Sequence, residues 1–320
     1  LKRLSERPVL LADGATGTNL FGMGLMTGDS PELWNIDHPD RIERLHQSFV
    51  DAGADLFLTN SFGGTRHRLK LHNGQGRVHE INKRAAEIAR KVADAAMKAQ
   101  PGREIVVAGS MGPTGELFQP MGPLTEQDAI DAFAEQAAAL KEGGVDVLWI
   151  ETKYSREEVS AAVAGAATTG LPFVTTMSFD TNGKTMMGIS PADFVEFVHS
   201  LDPRPVAFGA NCGVGASDLV ATIVKLSEAA APGDVIVAKG NCGIPYYEEG
   251  KIKYNGTPPL MADYARIVRD AGAKIVGGCC GTSPEHLKAI RGALETHEPA
   301  EKPTLEQIVA RLGPLTEGAR

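Results

Sequence analysis

The chain carries four cysteines, Cys212, Cys242, Cys279 and Cys280, two of them adjacent within Gly277-Gly278-Cys279-Cys280-Gly281. Neighbouring Cα atoms lie about 3.8 Å apart, below the roughly 4.4–6.8 Å usual across a disulfide. A bond between Cys279 and Cys280 would be strained. Thiolates are natural ligands of tetrahedral zinc, and a catalytic zinc keeps one position open. Cys212, Cys279 and Cys280 would supply three ligands and leave the fourth for a substrate. In a regular strand adjacent side chains point to opposite faces, but the flanking glycines permit a bend that turns both sulfurs to one side. The competing reading is inert, because cysteine is often simply buried. Cys242, in Lys239-Gly240-Asn241-Cys242-Gly243, reads as a plain small residue.

Bringing these sulfurs together is a task for the fold. Short β-branched, apolar runs recur at 9–15, 54–62, 104–109, 146–152, 172–179, 206–211, 235–239 and 274–278. Continuous apolarity without strict alternation suits strands covered on both faces. Helical patterns fall between them, at 39–52, 76–99, 125–142, 155–169, 191–201, 217–231, 258–271 and 284–295. Several open with proline, whose missing N–H costs nothing in a first turn. Ser155 with Glu158 has capping-box spacing. Eight β-α pairs with right-handed crossovers predict a single (β/α)8 TIM barrel over residues 1–297; an open doubly wound sheet is the alternative. Residues 298–320, Pro- and Glu-rich with a short helical stretch, are expected to pack on the barrel exterior.

A barrel keeps its active site at the C-terminal ends of its strands. The unusual residues fall there: Asp13-Gly14-Ala15-Thr16-Gly17, Asn60-Ser61-Phe62, Glu151-Thr152, Asn211-Cys212-Gly213 and the Gly-Gly-Cys-Cys-Gly segment. A buried Glu151 needs a partner, since an unpaired buried carboxylate is costly. Asn60 and Asn211 either brace loops or touch a substrate. Trp149 reads as core. Lys153 and Lys239 lie near strand ends, where a Schiff-base lyase would need its lysine, but nothing in the sequence marks either as desolvated.

Composition narrows the partners. Hydrophobic residues make up 42% and charged residues 22% of the chain, as in ordinary globular proteins. With 40 acidic and 32 basic residues the net charge is −8, which disfavours a nucleic-acid surface. Apolar runs are strand-sized, so no membrane span is expected. The N-terminus shows no secretory signal, and the expected compartment is the cytoplasm.

The blocks LADGATGT, AGADLFLTNSF, IET, ANCGVG and VGGCCGTSPEH resemble the homocysteine S-methyltransferase family over about residues 9–294. The resemblance implies a barrel in which Cys212, Cys279 and Cys280 hold a catalytic Zn2+ that activates homocysteine, giving methionine. It matches the family's homocysteine-binding acids to Asp13 and Glu151. Amides around Gly14 and Ala15 would hold the substrate carboxylate. Trp34 resembles, in loop position, an aromatic that contacts betaine, which points to glycine betaine as methyl donor. Against this, Gly63 and Thr152 stand where betaine enzymes carry tyrosines, and TNSF and IET look more like the methionine-synthase module. S-methylmethionine, another sulfonium, or a separate methyl-cobalamin protein are the alternative donors. A homo-oligomer is possible, and a non-catalytic zinc-stabilised barrel is a remote alternative.

Overall fold

The computed structural model describes residues 6–248 and 251–316. Eight parallel strands form the barrel wall: β1 (Leu10–Leu11), β2 (Leu56–Leu58), β3 (Val106–Met111), β4 (Val147–Lys153), β5 (Phe173–Met177), β6 (Ala207–Cys212), β7 (Ile236–Gly240) and, after an inserted hairpin of β8 (Pro245–Glu248) and β9 (Lys251–Tyr254), β10 (Ile275–Gly278). The hydrogen-bonded order β1-β10-β7-β6-β5-β4-β3-β2 follows the chain around a ring. The seam between β1 and β2 is drawn together by the Asp55 amide donating to the Leu11 carbonyl (2.8 Å). This is the expected (β/α)8 barrel rather than an open sheet. The hairpin had no counterpart among the sequence expectations.

Eight helices cover the wall: Pro39–Asp51, Val78–Ala99, Glu126–Glu142, Arg156–Ala167, Pro191–Ser200, Ala216–Ala229, Pro258–Asp270 and Pro284–Thr296. Their starts follow capping chemistry. Thr125 accepts from the Asp128 amide, and Ser190 and Ser283 form reciprocal boxes with Asp193 and His286. Ser155 caps as expected, but Glu158 does not complete a box. Its carboxylate instead accepts from the amide and hydroxyl of Thr114 (2.8 and 2.9 Å).

Inside the barrel Leu56, Leu58, Val147, Trp149, Val174, Val237 and Ile275 pack into one cluster, with Trp149 buried as expected. Between wall and helices lies a larger core that includes Phe49, Phe57, Phe133, Phe194 and Phe208. Each such side chain contributes roughly 1.5–3 kcal/mol when fully buried. In the tail, helix Leu305–Leu312 lays Ile308 and Leu312 against helices Ala216–Ala229 and Pro258–Asp270, and Thr316 bonds Asp218 (2.6 Å). Among the described residues no helix is long and apolar enough to cross a membrane.

Asp55 staples the N-terminal face of the seam. One oxygen accepts from the Leu11 amide (2.8 Å) and from Arg291 (2.6 Å), and the other pairs with Arg7. Asp55→Ala strands the buried Leu11 amide and removes a charged partner from Arg291, which keeps its bonds to the Gly53 carbonyl, so we expect a loss on the order of 2 kcal/mol. It would be read as a lower urea midpoint at unchanged slope; an unchanged midpoint would show that the seam closes without the staple.

Candidate active site

At the C-terminal ends of the strands opens a cavity of about 1060 Å³, lined by Asp13, Glu151, Lys239 and the three cysteines Cys212, Cys279 and Cys280. The sulfurs of these cysteines all lie within 4.8 Å of one another. Tetrahedral zinc with bonds of about 2.3 Å sets its sulfurs roughly 3.8 Å apart, so the group fits such an ion with small side-chain adjustments. Two backbone features produce the convergence. Cys212, last in β6, has φ of 60°, a left-handed turn uncommon for a residue with a side chain. Gly281, at φ 80°, reverses the chain directly after Cys280. The Cys279 amide donates to Gly240 (2.7 Å), and the Cys242 amide donates to the Cys280 carbonyl (2.9 Å). Cys242 itself is buried, with its thiol pushed up to about 12 by burial. It acts here through its backbone, in keeping with its reading as a small residue.

The charges of the sulfurs are interdependent. Hydrogen bonds from Cys212 and Cys279 pull the Cys280 thiol down to about 3. The same contacts, together with repulsion and burial, push Cys212 up. At Cys279 a bond from Cys212 works downward, but the bond to Cys280, burial and repulsion outweigh it and raise the thiol to about 12. Without a cation the three sulfurs oppose one another's ionisation, Cys212 and Cys279 most of all. A bound cation is what would let all three ionise, which is the donor chemistry of a zinc site.

Beside the sulfurs lies a buried ionic group. Lys239, at the end of β7, pairs with Asp13; the side chains are 4% and 1% exposed. Burial alone would depress Lys239, but Asp13 and Glu151 outweigh it and hold its ammonium above the usual value. Burial pushes the Asp13 carboxyl up, opposed by Lys239 and by the Leu58 amide (2.9 Å). Burial raises Glu151 to about 7, Lys239 pulling the other way, while the Ser110 hydroxyl donates to its Oε1 (2.5 Å).

The other expected site residues divide by role. Asn211 accepts from the Thr152 amide (3.0 Å) and the Thr176 hydroxyl (2.6 Å), and its Nδ2 donates to the Thr152 hydroxyl and approaches Cys279 Sγ at 4.0 Å. Those bonds hold Thr152 at φ 58°, a strained value for a β-branched residue. Asn60 donates to Pro31 and Asn35, bracing the loop after β1. Gly14 and Ala15 line the cavity, but the Ala15 amide, expected to meet a substrate carboxylate, already donates to Thr282 (3.0 Å). Asp13, expected to meet substrate, has one oxygen on Leu58 and the other on Lys239.

Trp34, expected to face the donor, is buried beneath its loop. It is not among the cavity-lining residues, and the Arg41 guanidinium sits 4.8 Å over its ring. Its cation–π face is therefore taken by the protein itself. Lys153 is buried away from the cavity, donating to Gly112 (2.6 Å) beside the Phe133 ring. Lys239 is engaged by Asp13, so neither lysine stands free as a Schiff-base nucleophile. Sequence reasoning placed Phe62 at the catalytic face but missed Ser110, Phe21, Tyr254 and the role of Lys239, all on the cavity wall. Only Lys239 carried a usable signal, a lysine inside an apolar strand.

A (β/α)8 barrel with three convergent cysteines and a carboxylate at its mouth has the donor set to hold a metal ion through thiolates. The homocysteine S-methyltransferase family profile matches residues 10–294, and the chain belongs to that family. It is 31% identical over 307 residues to methionine synthase of Mycobacterium tuberculosis and 29% over 309 residues to that of Mycobacterium leprae. The matches cover 91% and 92% of this chain, which spans about a quarter of those relatives' length (25% of each). The metallated form of the homocysteine methyltransferase MmuM from Escherichia coli shares the fold at TM-score 0.77 and 23% identity, over 91% of this chain and 98% of that one.

Alanine at Cys212, Cys279 or Cys280 is expected to release tightly bound zinc while far-UV circular dichroism stays unchanged. Full zinc retention in any one variant, by metal analysis after dialysis, would remove that residue from the ligand set. Lys153 gives a pH signature. Burial lowers its ammonium from 10.5 to about 8, with Glu158 and Glu151 opposing. Between those values the unfolded chain binds more protons, so stability should rise with pH there. Lys153→Met should flatten that rise in urea midpoints; an equally steep rise would place the shift elsewhere.

Proposed function

We propose that this protein transfers a methyl group to the sulfur of homocysteine, forming methionine, with Zn2+ held by Cys212, Cys279 and Cys280. The observation that carries the reading is the meeting of three sulfurs beside a buried carboxylate inside one cavity. Bound zinc supplies Lewis acidity that keeps the substrate sulfur a thiolate, the nucleophilic form, near neutral pH. Glu151 offers the second oxygen of its carboxylate to the substrate ammonium, and Ser110 fixes the first. Asn211 holds Thr152 and Cys279 in register at the cavity floor. In the transfer a new S–C bond forms as the bond from methyl to its carrier breaks, and the electron pair leaves with the carrier. No proton moves in that step. We assign residues 1–297 to the catalytic barrel, 298–320 to its outer tail, and the reaction to the cytoplasm, where thiols stay reduced.

The donor reading shifts from the sequence expectation. Glycine betaine rested on Trp34, whose ring Arg41 covers. A side chain at Gly63 would meet Glu32 Oε1 at 2.9 Å, so a tyrosine has no room there unless Glu32 moves. We favour a methyl group presented at the mouth by a large carrier of the methyl-cobalamin type, in line with relatives named methionine synthase. An exposed apolar collar supports docking of such a carrier: Met26, Leu71, Leu117, Met121, Met186 and Tyr247 stand on loops after β1, β2, β3, β5 and β7. Phe21, Phe62 and Tyr254 on the cavity wall favour a second reading, a small onium such as betaine or S-methylmethionine.

Zinc-loaded protein with homocysteine is expected to yield methionine from methylcobalamin and little from betaine or S-methylmethionine. Turnover with betaine alone would reverse the donor order. Failure with every donor, together with no homocysteine binding by calorimetry, would reject the function.

A further inference from the structure

We infer that Tyr254 is a positioning residue of the sulfur cluster: its phenol donates to the Cys280 sulfur and so directs the methyl group past the protein's own thiolate to the substrate. The inference rests on the zinc–thiolate reading and deepens it.

Methyl transfer at this site poses a problem of choice. Cys212, Cys279 and Cys280 all line the cavity in which the donor must meet the substrate sulfur. A thiolate is the nucleophilic form of sulfur wherever it stands. A methylated cysteine would be a neutral thioether and a lost metal ligand. The cluster therefore needs its own sulfurs to be poorer nucleophiles than the incoming one.

Tyr254 meets that need at Cys280. Its side chain lines the cavity and is hydrogen-bonded to the Cys280 side chain. A phenol has one O–H to donate, and such a bond to a thiolate draws electron density off the sulfur. The ring packs on the turn that follows Cys280. A Cβ at Gly281 would meet the Tyr254 Cδ2 at 2.7 Å, so glycine is what leaves room for it.

The backbone aims the phenol. Tyr254 ends β9 and pairs with Pro245 at the base of the hairpin. There the Ile244 amide donates to Asn255 Oδ1 (2.8 Å) and the Gly256 amide to the Cys242 carbonyl (2.9 Å). The Cys242 amide in turn donates to the Cys280 carbonyl (2.9 Å), so hairpin base and cysteine turn form one bonded unit. Cys279 has a weaker counterpart of the phenol in Asn211 Nδ2, 4.0 Å from its sulfur. The side-chain bonds at Cys212 are those to the other two cysteines, which makes Cys212 the internal reference.

Methyl iodide tests the inference without any physiological donor. A thiolate sulfur forms the new S–C bond as the C–I bond breaks, and iodide leaves with the electron pair. Zinc-loaded wild type and Tyr254→Phe, which keeps the ring on Gly281, would be treated with a substoichiometric amount. Peptide mass spectrometry then reads S-methylation of Cys280 against Cys212 in the same sample. The variant should raise that ratio roughly threefold or more, a part of the ~10-fold or more that a full hydrogen bond to a charged group represents. Cobalt(II) in place of zinc gives a second readout. Its thiolate-to-metal charge-transfer band should move to longer wavelength in Tyr254→Phe, since the bond tunes the ligand sulfur. Tyr246→Phe, on the same hairpin but exposed and off the cavity wall, should match wild type in both measurements. An unchanged ratio in Tyr254→Phe, an unmoved band, or equal changes in Tyr246→Phe would overturn the role of Tyr254. A wild type that holds neither zinc nor cobalt would instead overturn the metal reading.

Discussion

At the seam where β2 meets β1, Asp13 accepts from the Leu58 amide with one oxygen and from Lys239 of β7 with the other. The same carboxylate therefore helps to close the barrel and fixes a buried cation at the cavity wall. A barrel mouth is an expensive place for charge, since each ion loses its water. The arrangement tolerates that loss because every charged group has a partner of opposite sign nearby: Lys239 faces Asp13 and Glu151, and Glu151 is bonded to Ser110. Removing one member of such a group leaves the others buried and uncompensated, so seam, substrate pocket and sulfur cluster are energetically linked.

The fold was legible because its signal is repetitive. Eight apolar runs and eight helical stretches each carry the periodicity of a single element, and the connection rules leave few ways to assemble them. Boundaries shortened where side chains turned into the cavity: β1 is Leu10–Leu11, while the expected run extended through Asp13 and Ala15. The sulfur cluster was legible for a related reason, since Gly-Gly-Cys-Cys-Gly advertises a bent backbone. Gly278 has no room for more, as a Cβ there would meet Thr282 Oγ1 at 2.2 Å.

What escaped the sequence depends on partners distant in the chain. Trp34 was read from loop position alone, and position cannot show that Arg41, one helix later, covers its ring. Asp13 was matched to substrate by its motif, which could not show that its oxygens also accept from Leu58 and Lys239. Lys239 was noted only as a lysine near a strand end, because neither its burial nor its pairing with Asp13 is written in the local sequence. The hairpin after β7, which brings Tyr247 and Tyr254 to the cavity, lies where strand pairing is local and the runs are short. Each miss concerns a side chain whose role is set by a contact, whereas each success concerns a pattern repeated along the backbone.

The charge balance of the site bears on its chemistry. Burial raises both Asp13 and Glu151 while Lys239 stays charged, so this group carries little net charge near neutral pH, whereas three cysteinates around a divalent ion would leave one net negative charge. A substrate thiolate joining such a site would be held by the cation yet surrounded by other anionic sulfurs, which would leave its electron pair available for attack. A thioether product would be neutral and a weak ligand, so nothing would retain it at the ion.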